Sequence, residues 1–242
     1  MSDWVIFWDV VPYVTLAIVA ISAFWPPVRA DNLFYDLVLR LNPPAPSQRV
    51  LIVAIDNRSL AELGRWQSWK RDVHAELIDR LTEAKAAAVG YDVLFPEPQT
   101  AESDAKLGES IARNGRVVLP VIIEIPGPNG APSLRIPPVP PLEEAAAATG
   151  HVVTRPDRDG VVRAIDQLSD PEGRRNLHMA EAVVALTKGD WALLDAPRPD
   201  PEAPVYAPRR DLIPFAGPAG SYSQLSFVDV LRGRVPPDLI AG

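Results

Sequence analysis

The chain has 242 residues, of which 47% are apolar and 23% are charged, a composition typical of a folded domain and not of a disordered chain. Its formal net charge of −7 and its pI near 5.0 argue against a nucleic-acid-binding protein, because such proteins present a basic face. The chain has no cysteine, which excludes disulfide frameworks, thiol catalysis and cysteine-ligated metals.

The first predicted element is an apolar helix over residues 4–25, which would be about 33 Å long and able to cross a bilayer core. Aromatic residues lie at both of its ends, as in an interfacial belt, although Asp9 and Pro12 interrupt its first half. We predict a retained transmembrane helix. The alternatives are a cleaved signal peptide, for which the basic start is missing, and a buried core helix. Arg29 and Arg40 after the span weakly favour an N-terminus on the outside.

The segment that follows predicts a strand–helix–strand unit. Residues 31–41 have the apolar spacing of an amphipathic helix and lead into a proline-rich linker. Residues 50–55 are a short β-branched run, typical of a strand buried on both faces. Residues 73–84 predict the crossover helix and residues 86–95 the second strand, with a right-handed connection.

The remainder alternates short helices and apolar strands. Residues 151–154 and 161–168 predict a hairpin, with Asp159-Gly160 as its turn. This alternation predicts an α/β fold: a three-layer sandwich around a mixed, mostly parallel sheet, preceded by one N-terminal transmembrane helix. The other predicted helices are residues 104–114, 142–149, 177–187 and 227–231, and the other predicted strands are residues 116–125 and 212–215.

Two aspartates, Asp56 and Asp92, follow the two strands of the strand–helix–strand unit. Ligands bind outside the carboxyl ends of parallel strands, so on neighbouring strands these carboxylates could hold a cation or accept hydrogen bonds from a ligand. The alternative is structural: each aspartate caps a turn, or pairs with Arg65 or Arg71 to hold the loop between the strands.

That loop, residues 64–71, carries Trp66 and Trp69 among the cationic residues Arg65, Lys70 and Arg71. One interpretation is an aromatic and cationic wall of a ligand site. The other is a lid packed over the edge of the sheet, with the tryptophans filling core.

No motif for catalysis or metal binding is found. The three histidines, His74, His151 and His178, lack zinc-site spacing, and His74 is predicted to be structural. No glycine-rich phosphate loop and no Gly-x-Ser-x-Gly elbow follows any predicted strand. Asp56-Asn57-Arg58 does not supply the Asp-x-Asp of haloacid-dehalogenase-like enzymes. We therefore predict no catalytic residue, no metal ligand and no cofactor.

An ordered set of short segments resembles the CHASE type 2 domain, an extracellular sensory domain of bacterial adenylate cyclases, diguanylate cyclases, histidine kinases and related receptors. The family commonly has a proline where this chain has Gln67. The resembling segments include Ala54-Ile55-Asp56, Gly64-Arg65-Trp66, Tyr91-Asp92-Val93-Leu94-Phe95, Gly150-His151-Val152, Asp159-Gly160-Val161-Val162-Arg163 and Leu212-Ile213-Pro214-Phe215.

The resemblance implies two regions: residues 1–30 as a tail and transmembrane helix in the bacterial inner membrane, and residues 31–242 as a periplasmic or extracellular sensory domain. This location is opposite to the one that the weak charge signal of Arg29 and Arg40 favours, and we follow the resemblance. Family members usually continue with a further strand, several membrane spans and a cytoplasmic output domain. The chain is therefore expected to lack its last strand and those downstream parts.

The expected function is a sensor that detects an unidentified stimulus, a small molecule or an envelope protein, and signals across the membrane to a cyclase or kinase output domain. The expected partners are the membrane and a second copy in a homodimer, and no nucleic acid. Two alternatives remain: a periplasmic metal-dependent enzyme using Asp56 and Asp92, and a structural module that binds an envelope protein through the tryptophan loop. The candidate ligand contacts are Asp56, Arg65, Trp66, Arg71, Asp92 and Asp159.

Overall fold

The computed structural model describes residues 12–17, 19–20, 27–125, 133–197, 200 and 202–241. The chain divides into two compact units. One comprises residues 1–47 and 214–221, and the other comprises residues 48–213 and 222–241 together with the C-terminal glycine.

The first unit contains helix α1, Pro27–Leu41. The predicted amphipathic helix is confirmed. It begins four residues earlier than predicted because a proline is tolerated in the first turn, where its missing N–H is not needed. The predicted transmembrane helix lies largely outside the described residues. Within its predicted range, the described residues are 12–17 and 19–20, and these are helical. Among the helices that the structure does describe, none combines the length and the apolar character needed to cross a membrane.

Within its described residues, the second unit contains three small sheets. In the first, β1 (Leu51–Ala54) pairs in parallel with β9 (Ser223–Ser226), with Leu51 opposite Ser223. In the second, β3 (Val117–Glu124) pairs in parallel with β2 (Val89–Gly90) and β5 (Ala148–His151), and antiparallel with β4 (Leu134–Ile136). In the third, β6 (Ala164–Ser169) lies between β7 (Arg175–Asn176) and β8 (Tyr206–Leu212), antiparallel to both.

The mixed α/β class is confirmed, but the prediction of one sheet is wrong. No strand ladder joins β1 to β2 in the described part of the chain, because β1 pairs with β9 from the far end of the sequence. The hairpin prediction is also wrong in its pairing. β5 joins the parallel sheet, and only a single bridge, Thr154 to Ile165, connects the two predicted arms. The predicted turn is confirmed, with Gly160 at a φ of 82°.

Residues with local helix signals form helices as predicted. Thr100 accepts a hydrogen bond from the Ser103 N–H at the start of one helix, and Gly115, at a φ of 65°, ends it. The alanine-rich segment 142–149 departs from the prediction, because its helix ends at Ala145 and its last two residues, Ala148 and Thr149, belong to strand β5. The helices of this unit are α2 (Asn57–Leu63), α3 (Arg71–Glu83), α4 (Ala101–Asn114), α5 (Pro140–Ala145), α6 (Met179–Lys188), α7 (Trp191–Leu194) and α8 (Phe227–Leu231).

The largest hydrophobic core lies where α3, α4 and α8 meet the parallel strands. Leu77 and Ile78 of α3 face Leu107 and Ile111 of α4, and all four side chains are buried. Phe227, the first residue of α8, packs into the same core and links it to β9. The loop that carries the tryptophans therefore borders the main core of this unit.

Candidate functional site

Six ring side chains meet at the edge of this core and form what we call the aromatic cluster: Trp66, Trp69, His74, Tyr91, Phe95 and Phe227. Trp66 lies edge-on to Trp69 at a centroid distance of 5.0 Å and edge-on to His74 at 5.4 Å. Trp69 contacts Phe227 at 5.2 Å. The cluster therefore joins the loop before α3, the end of β2 and the start of α8.

Local structure explains why both tryptophans point into the cluster. Residues Trp66–Ser68 form a 3₁₀ turn, in which side chains three residues apart lie above one another. The Trp69 indole Nε1–H donates to the Gly64 carbonyl oxygen at 3.0 Å, so its polar atom is satisfied while the ring is buried. Of the two interpretations of this loop, the structure supports the packed lid for Trp69, which is buried, whereas Trp66 is half-buried.

His74 is the polar centre of the aromatic cluster. Its Nδ1 lies 2.7 Å from the Tyr91 hydroxyl oxygen, and both groups are buried. Burial lowers the pKa of His74 to about 4, and the nearby Arg71 charge lowers it further in the same direction. Burial also raises the pKa of Tyr91 well above its usual value. At neutral pH the pair is therefore uncharged.

Arg71 fastens the loop from the other side of the cluster. Its Nε lies 3.0 Å from Oδ1 of the buried Asp104, and its Nη2 donates to the Glu97 carbonyl oxygen at 2.7 Å. Its guanidinium carbon lies 4.4 Å from the Phe95 ring centroid, within the range of a cation–π contact. Arg71 is thus largely buried, with its side chain 13% exposed.

Asp56 serves as the N-cap of α2. Its carboxylate accepts hydrogen bonds from the Ser59 N–H at 2.8 Å, the Ser59 hydroxyl at 2.7 Å and the Ser226 hydroxyl at 2.8 Å. The Ser59 main-chain and hydroxyl bonds, with that of Ser226, lower the pKa of Asp56. Because Ser226 precedes Phe227, this cap ties β1 to the segment that enters the aromatic cluster.

Replacing Asp56 with alanine is expected to lower the free energy of unfolding by about 1–2 kcal/mol, because the cap and the Ser226 bond are lost together. Asp56→Asn should lose less, since the amide oxygen can still accept from Ser59. Urea unfolding measures both values, and Asn57→Ala at the adjacent exposed position is the matched control. Equal stability of Asp56→Ala and the parent chain would contradict the capping role.

Asp159 lies in a separate arginine–aspartate network. The Arg163 guanidinium, whose side chain is 5% exposed, pairs with Asp157 at 3.0 Å and with Asp159 at 2.8 Å. This bond lowers the pKa of Asp159 to about 2. Arg155 binds the fully buried Asp166 through two hydrogen bonds of 2.7 and 2.8 Å. The network holds the turn at residues 155–160 against β6.

His151 and His178 form a perpendicular pair with ring centroids 5.1 Å apart. His151 Nδ1 accepts from the Val153 N–H at 3.3 Å, and His178 Nδ1 accepts from the Ala180 N–H at 3.2 Å to cap α6. Burial lowers the pKa of both rings, to about 4 for His151. The exposed Asp92 is one of the charges that oppose this lowering at His178. Both imidazoles are therefore neutral at pH 7, with the proton on Nε2.

The structure brings some of the predicted contact residues together and separates others. Trp66 belongs to the aromatic cluster, Arg71 borders it, and Asp56 adjoins it through Ser226. Arg65 is exposed on the same loop. Asp92 is near enough to His178 for its charge to act on that ring, and Asp159 belongs to the arginine–aspartate network. The expected placement of Asp56 and Asp92 on paired neighbouring strands is wrong. No group of three or more metal-ligating side chains is found across the described ranges.

Several residues of these regions escaped the sequence prediction. Tyr91 and Phe227 carry no local signal, since each meets His74 only through the folded chain. Asp104 had a usable signal: it lies in the first turn of a helix capped by Thr100, where a carboxylate is favoured. His151 and His178 are too far apart in the chain for a spacing rule to pair them.

Concavities also lie on the described surface near these regions. A groove of about 550 Å³ is walled mainly by prolines of residues 96–98 and 137–141 and reaches Asp104. A cavity of about 290 Å³ lies among Arg135, Thr149, Gly150 and Asn176. Gly150 is required there, because a Cβ at this position would lie 2.6 Å from the Met179 Cα.

In the part of the chain that the structure describes, the buried charges serve ion pairs, helix caps and ring contacts within the domain. The protein is therefore a mixed α/β domain in which buried polar side chains hold the loops against the core. The CHASE2 domain model matches residues 14–242, so the chain belongs to the CHASE2 domain family, a family of extracellular sensory domains. The resemblance seen in the sequence is thereby confirmed. Searches of curated proteins and of solved structures found no significant match.

Proposed function

We propose that this chain is the extracytoplasmic sensor module of a membrane-anchored bacterial receptor. The match of the CHASE2 domain model to residues 14–242 carries the proposal, because it covers nearly the whole chain. In this proposal residues 4–25 anchor the module in the inner membrane, and residues from 31 onward lie in the periplasm or outside. A cyclase or kinase output domain receives the signal.

The stimulus, a small molecule or an envelope protein, is proposed to act at the loop of residues 64–71. Arg65 is exposed there, and the half-buried Trp66 presents one part of its ring outside while the ring contacts His74 within the core. A ligand that touches Trp66 would therefore act directly on the aromatic cluster. Asp92, exposed after β2, and Asp159, 48% exposed, are further proposed contacts.

In this proposal the loop of residues 64–71 has two arrangements. The Trp69–Gly64 hydrogen bond and the three contacts of Arg71 hold it against the core in the arrangement described above. A ligand shifts the balance between two arrangements only if it binds them with different affinity. A ligand that contacts Trp66 would have a different affinity for the two arrangements, because we place the packing of Trp66 on His74 in only one of the two. A homodimer would pass the change to a symmetric pair of membrane segments.

The location is tested by reporter fusions to the full chain. Alkaline phosphatase, which needs disulfide bonds to be active, should be active when fused after residue 242, whereas green fluorescent protein at the same position should remain dark. After carbonate extraction, the full chain should stay with the membrane. A matched variant without residues 1–26 should not.

Each outcome of this test bears on a separate part of the proposal. A fluorescent fusion with inactive phosphatase would refute the extracytoplasmic location. Active phosphatase with full release by carbonate would refute the anchor and leave a periplasmic domain.

A further inference from the structure

Helix α1 carries its hydrophobic residues on the exposed side. Asn32, Tyr35, Asp36 and Leu39, on the opposite side, are half-buried. Amphipathic helices of folded domains normally turn the apolar stripe inward. The orientation of α1 instead leaves an exposed apolar surface, which is typical of an interaction site. The exposed apolar residues, which we call the α1 stripe, are Leu33 (59%), Phe34 (68%), Leu37 (52%), Val38 (43%) and Leu41 (76%).

We propose that the α1 stripe is the contact between two copies of this chain, packed as parallel helices. Phe34, Leu37 and Leu41 have the three-then-four spacing of the core positions of a coiled coil. Leu33 and Val38 then occupy the two flanking positions. In a parallel pair these positions lie beside one another, since they are five residues apart, so Leu33 would meet Val38 of the partner subunit. The whole stripe is thus complementary to itself.

The size of the stripe fits a dimer contact. At exposures of 43–76%, the five side chains present roughly 500 Å² of apolar surface per helix, or about 1,000 Å² for a pair, near the lower limit for specific protein interfaces. A helix of this length is marginal as an isolated coiled coil. The contact is therefore weak by itself and depends on the two copies being held near one another.

Charge favours a second copy over a lipid surface. Helices that lie in a membrane interface usually carry an excess of Lys and Arg on the polar face. Helix α1 has Asp31 and Asp36 against Arg29 and Arg40, which leaves no excess of positive charge. The parallel orientation rests on the proposed function, since both copies would enter the membrane from the same side. The contact itself does not rest on it.

Disulfide crosslinking of the full chain in membranes tests this contact, and the absence of native cysteine makes single-cysteine variants unambiguous. Phe34→Cys, Leu37→Cys and Leu41→Cys should each form a crosslinked dimer at least tenfold faster than Asn32→Cys, the control on the opposite side. Equal rates at all four positions would overturn the proposal. Crosslinking of Leu37→Cys alone would overturn the parallel arrangement, because antiparallel helices bring only the central position next to itself.

A second variant separates the competing partners. Leu37→Glu should reduce self-association at least tenfold without lowering the melting temperature, because the side chain is exposed in the single copy. A dimer that persists in Leu37→Glu would place the contact elsewhere. In the variant without residues 1–26, flotation with lipid vesicles that Leu37→Glu abolishes would assign the stripe to the membrane instead, because the proposed anchor is then absent. The reporter fusions read location independently, so their failure and the failure of this contact are distinguishable.

Discussion

Replacement of Arg71 with alanine is expected to lower the free energy of unfolding by about 3–5 kcal/mol, the usual effect of breaking a buried ion pair from one side. The variant leaves Asp104, whose side chain is 5% exposed, with only the Gln99 N–H at 2.9 Å as a donor. It also removes the cation–π contact with Phe95 and the hydrogen bond to the Glu97 carbonyl oxygen. Most of the lost free energy of unfolding comes from the Asp104 carboxylate, because a buried charge without an oppositely charged partner has lost its hydration and gains nothing in return.

Two further variants distinguish the effect of the positive charge of Arg71 from the effect of its planar hydrogen-bonding geometry. Arg71→Lys keeps the charge but cannot bind Asp104 and Glu97 with the same planar fork, so it should lie between the parent chain and Arg71→Ala. Lys70→Ala changes an exposed cation at the adjacent position and should stay within about 0.5 kcal/mol of the parent chain. Urea unfolding at pH 7 gives all four values. A loss for Arg71→Ala no larger than that for Lys70→Ala would show that the loop is not fastened by this residue.

The second large effect is a loss of stability in mild acid. Burial lowers the pKa of His74 and His151 to about 4 in the folded protein, whereas an imidazole of the unfolded chain titrates near 6.5. Between these values the unfolded state binds more protons than the folded state, so the free energy of unfolding falls as pH falls. Over the full window from pH 6.5 to pH 4, each side chain contributes a loss of about 3 kcal/mol.

Burial and the charges around each ring determine the direction of the pKa shifts of His74 and His151. Arg71 and burial both oppose protonation of His74. At His151, burial and His178 oppose it, and Glu181 and Asp166 favour it without overcoming burial. Protonation of Nδ1 would also remove the acceptor for the Val153 N–H. Carboxylates with lowered pKa values, such as Asp159, titrate below this window.

Asparagine variants test the assignment, because the side-chain amide can still form a hydrogen bond but does not titrate. His74→Asn and His151→Asn should each reduce the slope of the unfolding free energy against pH by about one proton between pH 6.5 and pH 4. The parent chain and both variants are compared by urea unfolding at successive pH values. If the slope is unchanged in both variants, the acid sensitivity arises elsewhere.

Helix positions followed from the sequence because their signals are local. The apolar spacing within residues 73–84 and the glycine after residue 114 act within one or two turns, and the structure places α3 and α4 there. Strand pairing was predicted poorly because an apolar run such as residues 50–55 indicates a strand but not which strand it meets. The prediction that this strand is buried on both faces is also wrong, since Val50 and Ile52 are 48% and 43% exposed. The partner of β1 comes from residues 223–226, whose composition, Ser-Gln-Leu-Ser, gives little indication of a strand.

The same distinction applies to the candidate site. The concentration of Trp66, Trp69 and Arg71 in one loop is visible in the sequence, and all three side chains border the aromatic cluster. The partners that define their environment, Asp104 and Phe227, lie on α4 and α8 and reach the loop only through tertiary packing. Asp92 could not be placed from the sequence, because the ring on which its charge acts, His178, is the N-cap of α6 and distant in the chain.

The pairing of β1 with β9 has a consequence for biosynthesis. β1 is among the first strands of its unit to leave the ribosome, and its only partner in the described part of the chain leaves among the last. Closing so long a segment delays the ladder, since non-local contacts form slowly. During that delay the β-branched residues of β1 remain without a strand partner and are open to aggregation. Chaperone dependence during synthesis should therefore centre on this strand.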